Sequence, residues 1–350
     1  MSEFRRDPTT GRWAIIAPER GSRPFAQATE APQSRAAAAS RCPFCLGNEV
    51  LTPPEVYRDP SDGPWAVRVV PNKFPALTDQ DDLGHNGEKG LFQRMAGAGA
   101  HEVVIETPDH CAEIPDLTLE HAARVVGAYI ARIRHLMTNP RNRHVLLFKN
   151  HGEAGGASLH HAHSQIIASP IVPRDVCNSL EIARAYSEQE GHCLFCAVIE
   201  EEIRRADRIV NQDAEYVVLT PYASRVPYEL VIYPKDHAPD FGSLDARQRL
   251  GFAQVLQRTL QRLRTLLGDV PYNLILETAP NPASPSETPK AWTAMSHAYH
   301  WHMRVVPRLA HTAGFEWGTG MHINPMPPKE AAASLRDVRL LGEAGTKTGP

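Results

Sequence analysis

Three sets of metal-ligating residues occur in this chain in one order, and the same order then comes round again. The first series is Cys42-Pro-Phe-Cys45, His110 within Thr107-Pro-Asp-His110, and His161-Ala-His163-Ser164-Gln165. The second is Cys193-Leu-Phe-Cys196, His237 within Pro234-Lys-Asp-His237, and His300-Trp-His302. The flanks repeat too: the alternating run His101-Glu-Val-Val-Ile-Glu106 precedes His110, and Tyr228-Glu-Leu-Val-Ile-Tyr233 precedes His237. An amphipathic helix pattern follows each of these histidines, and a strand pattern leads to each His-x-His. Such a repeat predicts two copies of one metal-stapled unit, packed as one body.

The 350 residues suit two units, 1–172 and 173–350. A net charge of -3 and a pI near 6.6 give no global basic field, which argues against nucleic acid as a partner; a small phosphorylated ligand needs only a few local cations. The start, Met1-Ser-Glu-Phe-Arg-Arg-Asp7, has no apolar signal core, and no apolar run is long enough to span a bilayer. The expectation is a cytoplasmic protein with no membrane partner. Four of the six cysteines lie in Cys-x-x-Cys pairs, with Cys111 and Cys177 left over. In a reducing compartment this reads as metal ligation; a redox Cys-x-x-Cys is the rival reading, and the accompanying histidines favour zinc.

Periodicity predicts strands at Trp13 to Ala17, Val67 to Val70, His101 to Glu106, His144 to Lys149 and Gln165 to Ala168. A helix over Thr118 to Met137 would bury Leu119, Ala122, Val126, Ile130, Ile133 and Met137. Pro24 to Ser40 and Asp79 to Gly99 read as loops. In the second half the pattern predicts helices at Cys196 to Arg205 and Asp245 to Leu267, the latter with Leu256, Leu260, Leu263 and Leu267 on one face. Strands are expected at Tyr216 to Leu219, Tyr228 to Tyr233 and Tyr272 to Glu277, then a Pro-rich loop through Pro289. The fold class is α+β, with antiparallel sheets and flanking helices.

His161 and His163 lie two apart on a strand-like segment and are expected to point to opposite faces, one closing a metal site and the other facing a ligand. With Cys42, Cys45 and His110, His161 completes a Cys2His2 set, a closed arrangement suited to structural zinc. Two ordinary buried histidines are the plainer alternative. His163 is the candidate nucleophile, because a neutral imidazole attacks phosphorus when its other ring nitrogen donates to a fixed acceptor. Gln165, two further on and on the same face, can donate its amide to a phosphoryl oxygen, and Ser158 can stabilise the reacting phosphate. The loop from Asn150 to Ser158, with glycines at 152, 155 and 156, is expected to expose backbone amides as an anion cradle.

The run Asn150 to Gln165 resembles the active-site signature of the galactose-1-phosphate uridylyltransferase family, within the histidine-triad superfamily. Other matching parts follow in order: Asp7-Pro-Thr-Thr-Gly11, Arg20-Gly-Ser-Arg23-Pro, Cys42-Pro-Phe-Cys45, Asn72-Lys-Phe-Pro-Ala-Leu77, Pro108-Asp-His110 and Gly314-Phe-Glu-Trp-Gly-Thr-Gly320. The resemblance covers nearly the whole chain and implies a tandem pair of histidine-triad-like units. It also implies ping-pong transfer of UMP between UDP-glucose and galactose 1-phosphate through a nucleotidyl-His163. On the same ground Gln165 holds the transferred phosphoryl group, Arg20 and Arg23 meet substrate phosphates and Asn72 lies by the nucleoside. Asn150, Gly156 and Ala157 are further substrate candidates. A homodimer is implied, with Phe315, Glu316, Thr319, Gly320 and Asn324 near the partner's site.

Two departures matter. Ala162 stands where the familiar signature has proline, and Cys193, Cys196, His237 and His300 form a second zinc set, as in a plant-type branch resembling an adenylyl-sugar phosphorylase. An ADP-sugar phosphorylase or adenylyltransferase is therefore the alternative activity. His302 holds the second repeat's nucleophile position, but Met303 and Arg304 replace Ser164 and Gln165, so one reactive histidine per chain is expected. A zinc-ribbon binding module, the reading from another class, is opposed by the missing basic balance and the His-x-His-x-Gln set.

Overall fold

The computed structural model describes residues 2–22, 41–79, 91–92, 94–283 and 295–340. Arg23, the expected loop from Pro24 to Ser40, most of the run from Asp79 to Leu91 and the stretch 284–294 before the second His-x-His lie outside them.

The described strands are β1 (Glu3–Arg6), β2 (Trp13–Ile16), β3 (Tyr57–Asp59), β4 (Val67–Pro71), β5 (Ala100–Ile105), β6 (His144–His151), β7 (His163–Ser169), β8 (Ile209–Gln212), β9 (Tyr216–Leu219), β10 (Leu230–Pro234), β11 (Tyr272–Glu277), β12 (His302–Pro307) and β13 (His322–Asn324). The helices are α1 (Leu119–Met137), α2 (Arg174–Glu190), α3 (Leu194–Arg205), α4 (Ala246–Leu267), α5 (Met295–Ala298), α6 (Gly314–Thr319) and α7 (Pro328–Arg336).

Ten strands form one sheet in the order β3-β4-β5-β7-β6-β11-β12-β10-β9-β8. Read outward from its centre, the first half runs β6-β7-β5-β4-β3 and the second β11-β12-β10-β9-β8, the same plan twice. All the neighbouring strands pair antiparallel. The joint is the β6 to β11 pairing, from Leu147 with Leu276 to His151 with Tyr272. A second sheet, β1-β2-β13, brings the N-terminal hairpin to the late strand.

Each long helix starts where the sequence offers a cap. Thr118 accepts from His121 N–H, and Asp245 forms a capping box with Gln248, contributions of about 1 kcal/mol apiece. The stripes of α1 and α4 pack against each other and onto one face of the sheet. One apolar core crosses both halves there, from Val104, Val145 and Ile166 through Ile133, Phe252 and Leu256 to Leu274, Trp301 and Val305. The opposite face carries two smaller clusters, one around Cys42, Phe44, Cys45 and Ile105, the other around Cys193, Phe195, Val231 and Tyr299. The helix α2 was not foreseen. Only Ser179, Leu180 and Ala183 of it are buried, so it has little apolar stripe to read, although Pro173 before it and the left-handed Gly191 after it are boundary signals.

Candidate active site and metal centres

Both Cys-x-x-Cys loops are brought to the two histidines that the repeat assigned to them. Cys42, Cys45, His110 and His161 offer one ligand atom each, all within 4.8 Å of one another, and so do Cys193, Cys196, His237 and His300. In the first group Cys45 Sγ lies 3.3 Å from His110 Nδ1 and 3.5 Å from His161 Nδ1, and Cys42 Sγ lies 3.6 Å from the latter. In the second, Cys196 Sγ lies 3.4 Å from His237 Nδ1 and 3.6 Å from His300 Nδ1. Tetrahedral zinc holds sulfur and nitrogen ligands about 3.6 Å apart, so both groups fit such an ion.

The tautomers agree. His161 Nε2 donates to Thr107 O at 2.7 Å, His300 Nε2 to Pro234 O at 2.9 Å and His237 Nε2 to Ser296 O at 2.9 Å, leaving each Nδ1 lone pair for a metal. Burial and the neighbouring Cys42 push the Cys45 thiol up to about 11. A cation between the sulfurs reverses that preference.

His163 opens β7 and is buried. Residues two apart on a strand share a face, so strand alternation does not separate it from His161. The separation comes from the chain itself: His161 stands before β7 begins, and only His163 belongs to the strand. The Nδ1–H of His163 donates back to His161 O at 2.8 Å, leaving Nε2 unprotonated, while burial lowers the pKa. Phe44, from the first Cys-x-x-Cys loop, packs against the ring at 5.4 Å between centroids.

Gln165 is oriented by His101, a residue the sequence reading treated only as part of a strand. Ala76 N–H donates to His101 Nδ1 at 3.1 Å, so His101 carries its proton on Nε2 and donates to Gln165 Oε1 at 2.8 Å. The Gln165 NH2 is thereby turned outward as a donor. Asn72 lies beside the group, its Oδ1 accepting from Phe74 N–H at 2.9 Å; its Nδ2, a donor like His101 Nε2–H, is a neighbour of that nitrogen and not its hydrogen-bond partner. The contact follows from the β5 to β7 register, His101 lying two residues from Val103, which pairs with Gln165, and no local sequence pattern signals it.

Behind β7, on the helix side, Glu106 is fully buried. It accepts from Tyr129 OH at 2.7 Å, from Ser164 Oγ at 2.5 Å and from Lys149 Nζ at 2.7 Å. Lys149 also meets Glu113 at 3.0 Å; Glu113 meets His151 at 3.4 Å, and His151 reaches Asp269 at 2.8 Å. Burial works against both charges of the Glu113 and His151 pair, but Lys149 and His151 hold Glu113 down to about 2, and the hydrogen bonds to Asp269 and Glu113 raise His151 to about 9.

Other expected site residues are placed differently. The glycine loop is tight as foreseen: Gly152 has φ 72°, and a Cβ there would meet Pro271 at 2.9 Å. Three of its amides, however, are taken within the loop. Gly155 and Ala157 N–H both donate to Gly152 O at 3.1 Å, and Gly156 N–H donates to Glu153 O at 2.8 Å. A turn this short closes three of its amides on its own carbonyls, and the exposed Ser158 hydroxyl and the Asn150 amide are further donors on this side. Asn324 is a second correction. It is buried, with both amide hydrogens given to Ser224 O and Val226 O at 3.2 Å and its Oδ1 accepting from Met326 N–H at 2.9 Å, which spends it on anchoring β13. Arg20 is exposed in a short 3-10 turn. Phe315, Glu316 and Thr319 lie on α6, and the left-handed Gly320 ends it.

Family models describing the galactose-1-phosphate uridyl transferase N-terminal and C-terminal domains match residues 1–173 and 179–316. An ADP-glucose phosphorylase of Arabidopsis thaliana is 34% identical over 340 residues, covering 97% of this chain and 93% of that protein. A galactose-1-phosphate uridylyltransferase of Thermotoga maritima is 28% identical over 347 residues, covering 97% and 99%. The crystal structure of an Arabidopsis thaliana ADP-glucose phosphorylase with bound ADP-glucose superposes with a TM-score of 0.83 at 31% identity, covering 97% of this chain and 100% of that one.

Proposed function

The chain belongs to the galactose-1-phosphate uridyl transferase family, and from that premise we propose that His163 carries a nucleoside monophosphate between a nucleotide sugar and an acceptor. One observation supports this above the rest: Nδ1–H is tied to the His161 carbonyl, so the bare Nε2 is the nitrogen left to attack. In the first step Nε2 bonds to the α-phosphorus, and the α-phosphorus to bridging-oxygen bond breaks. Its electron pair leaves with the sugar 1-phosphate. In the second step an acceptor phosphate oxygen attacks the same phosphorus, and the P–N pair returns to Nε2. The positive charge on the imidazole of the intermediate is met by the His161 carbonyl, and the outward NH2 of Gln165 faces the charge that builds on the phosphoryl oxygens. Ser158 and Asn150 offer further donors, and Asn72 a contact for the nucleoside.

The two Cys2His2 groups are read as zinc sites. Each has four protein ligands, so the ions would brace the Cys-x-x-Cys loops and the strand starts, including the one that carries His163. Four thiols kept as ligands suit a cytoplasmic setting, and the exposed Phe4, Trp13 and Trp317 suit a homodimer.

Two donors are in play. UDP-glucose with a hexose 1-phosphate as acceptor, in galactose metabolism, is supported by the family and by the Thermotoga maritima relative. ADP-glucose with phosphate as acceptor is supported by the second Cys2His2 group together with the 34% identity to an ADP-glucose phosphorylase. Initial rates with UDP-glucose plus galactose 1-phosphate and with ADP-glucose plus phosphate separate them, because the true pair is turned over at least about 100-fold faster. Turnover of neither donor under either regime contradicts nucleotidyl transfer.

A further inference from the structure

We propose that Asn273, on β11 of the second repeat, is a positioning residue for transfer at His163, in the first repeat. The proposal rests on the reading of His163 as nucleophile. Asn273 Nδ2 donates to Gly155 O at 2.7 Å and to Asn150 Oδ1 at 2.9 Å. A backbone carbonyl can only accept, so Gly155 fixes which end of the Asn273 amide faces the loop. The Asn150 atom that meets the same NH2 must then be its oxygen, and the Asn150 NH2 is turned the other way. There, among the described residues, it has one long contact, to Gly156 O at 3.4 Å, which leaves donor capacity for a phosphoryl oxygen.

Asn150 is well placed to use it. Two residues past the Phe148 to Gln165 pairing, it lies beside His163 on the neighbouring strand and on the same face of the sheet. The nucleophile is thus flanked by two amides, each oriented through one side chain by a backbone group: Ala76 N–H through His101 for Gln165, and the Gly155 carbonyl through Asn273 for Asn150.

The duplication argues that Asn273 is more than strand packing. Asn273 sits two residues before Ile275, which pairs with Arg304; the matching position in the first repeat, two before Phe148, is Leu146. An apolar residue satisfies the plan at that point, and the second repeat carries an amide instead. The loop also rests on this strand, since a Cβ at Gly155 would meet Tyr272 O at 3.0 Å.

The test is a double-mutant cycle on the rate of nucleotidyl-His163 formation, followed by intact mass after rapid mixing with UDP-glucose or ADP-glucose, with hydrogen exchange of residues 152–158 measured alongside. Asn273→Asp keeps the shape but removes the donor. The expected result is an adduct rate lowered about 30-fold at little change in the half-saturating donor concentration, with a further loss below about 3-fold when Asn150 is already alanine. Asn273→Leu, which copies Leu146, carries the same test if the aspartate variant does not fold. A wild-type rate in either variant, or losses that multiply fully with Asn150→Ala, overturns the proposal. If the unmutated protein forms no adduct, the reading of His163 fails separately, and exchange decides the rest: faster exchange across 152–158 keeps the clamp, and unchanged exchange removes it.

Discussion

His163 and His302 stand at matched points of the two repeats, and each donates Nδ1–H to the carbonyl of the metal-side histidine two residues back, at 2.8 and 3.2 Å. Each is buried, and each is packed by the phenylalanine of its own Cys-x-x-Cys loop at 5.4 and 5.5 Å. What differs is the company. Where the first repeat has Asn150, Gln165 and His101, the second has Glu277, Arg304 and Glu229. His302 Nε2 meets Glu277 at 3.3 Å, Arg304 bridges Glu277 and Glu229, and Arg225 meets Glu229 at 3.6 Å. The charges there are spent on one another. Around His163 the matched positions hold two neutral amides, those of Asn150 and Gln165, and an imidazole whose one ring hydrogen is given to Gln165.

The contrast continues on the helix side. Glu106, Lys149 and Ser164 of the first repeat correspond to Pro234, Leu276 and Met303 of the second, so a hydrogen-bonded ionic core lies behind β7 and an apolar one behind β12. One frame thus holds two matched histidines, and what separates their settings is a handful of neighbours rather than the histidine, its tautomer or its burial.

The sharpest break of this comparison is kinetic. His163→Ala is expected to lower sugar-nucleotide turnover by at least about 10,000-fold, while His302→Ala keeps it within about 3-fold. Equal losses in initial rate would mean that both repeats react. Next comes stability. Lys149→Met leaves Glu106 buried without its counter-ion and should cost about 3–5 kcal/mol in denaturant unfolding, whereas the matched Leu276→Met should cost less than about 1.5 kcal/mol.

A smaller effect follows from pH. The folded pKa of His151, about 9, lies above its unfolded value, so its contribution is fully present below about pH 6.5 and is lost as pH rises through 9. Wild-type stability should fall by about 3 kcal/mol across that window, and His151→Asn should flatten the curve. The smallest difference is in metal release. His237 is exposed whereas the first group is more enclosed, so a chelator should remove the second metal about tenfold faster. Metal counting during dialysis checks the order.

The two Cys2His2 groupings and the duplication were legible because their spacing is local and occurs twice. The long helices were legible from their stripes and caps. Other features depend on sheet order, which local pattern does not carry. His101 reaches Gln165 only because β5 lies beside β7, and Asn273 reaches the glycine loop only because β11 lies beside β6. The same pairing merges the two expected units into one ten-stranded sheet. Hydrogen bonding was the other hidden quantity: glycines announced a tight loop, but not that its amides close on Gly152 O and Glu153 O, and the place of Asn324 in sequence did not reveal that both its amide hydrogens are taken.

The central claim is that one histidine of the pair carries the nucleotide. Acid-free peptide mapping of the protein after brief incubation with UDP-glucose and, separately, ADP-glucose tests it most directly. The account predicts a single nucleoside monophosphate per chain, on the peptide containing His163, absent from His163→Ala and kept in His302→Ala. An adduct on the His302 peptide, or turnover with no adduct on either, would contradict it.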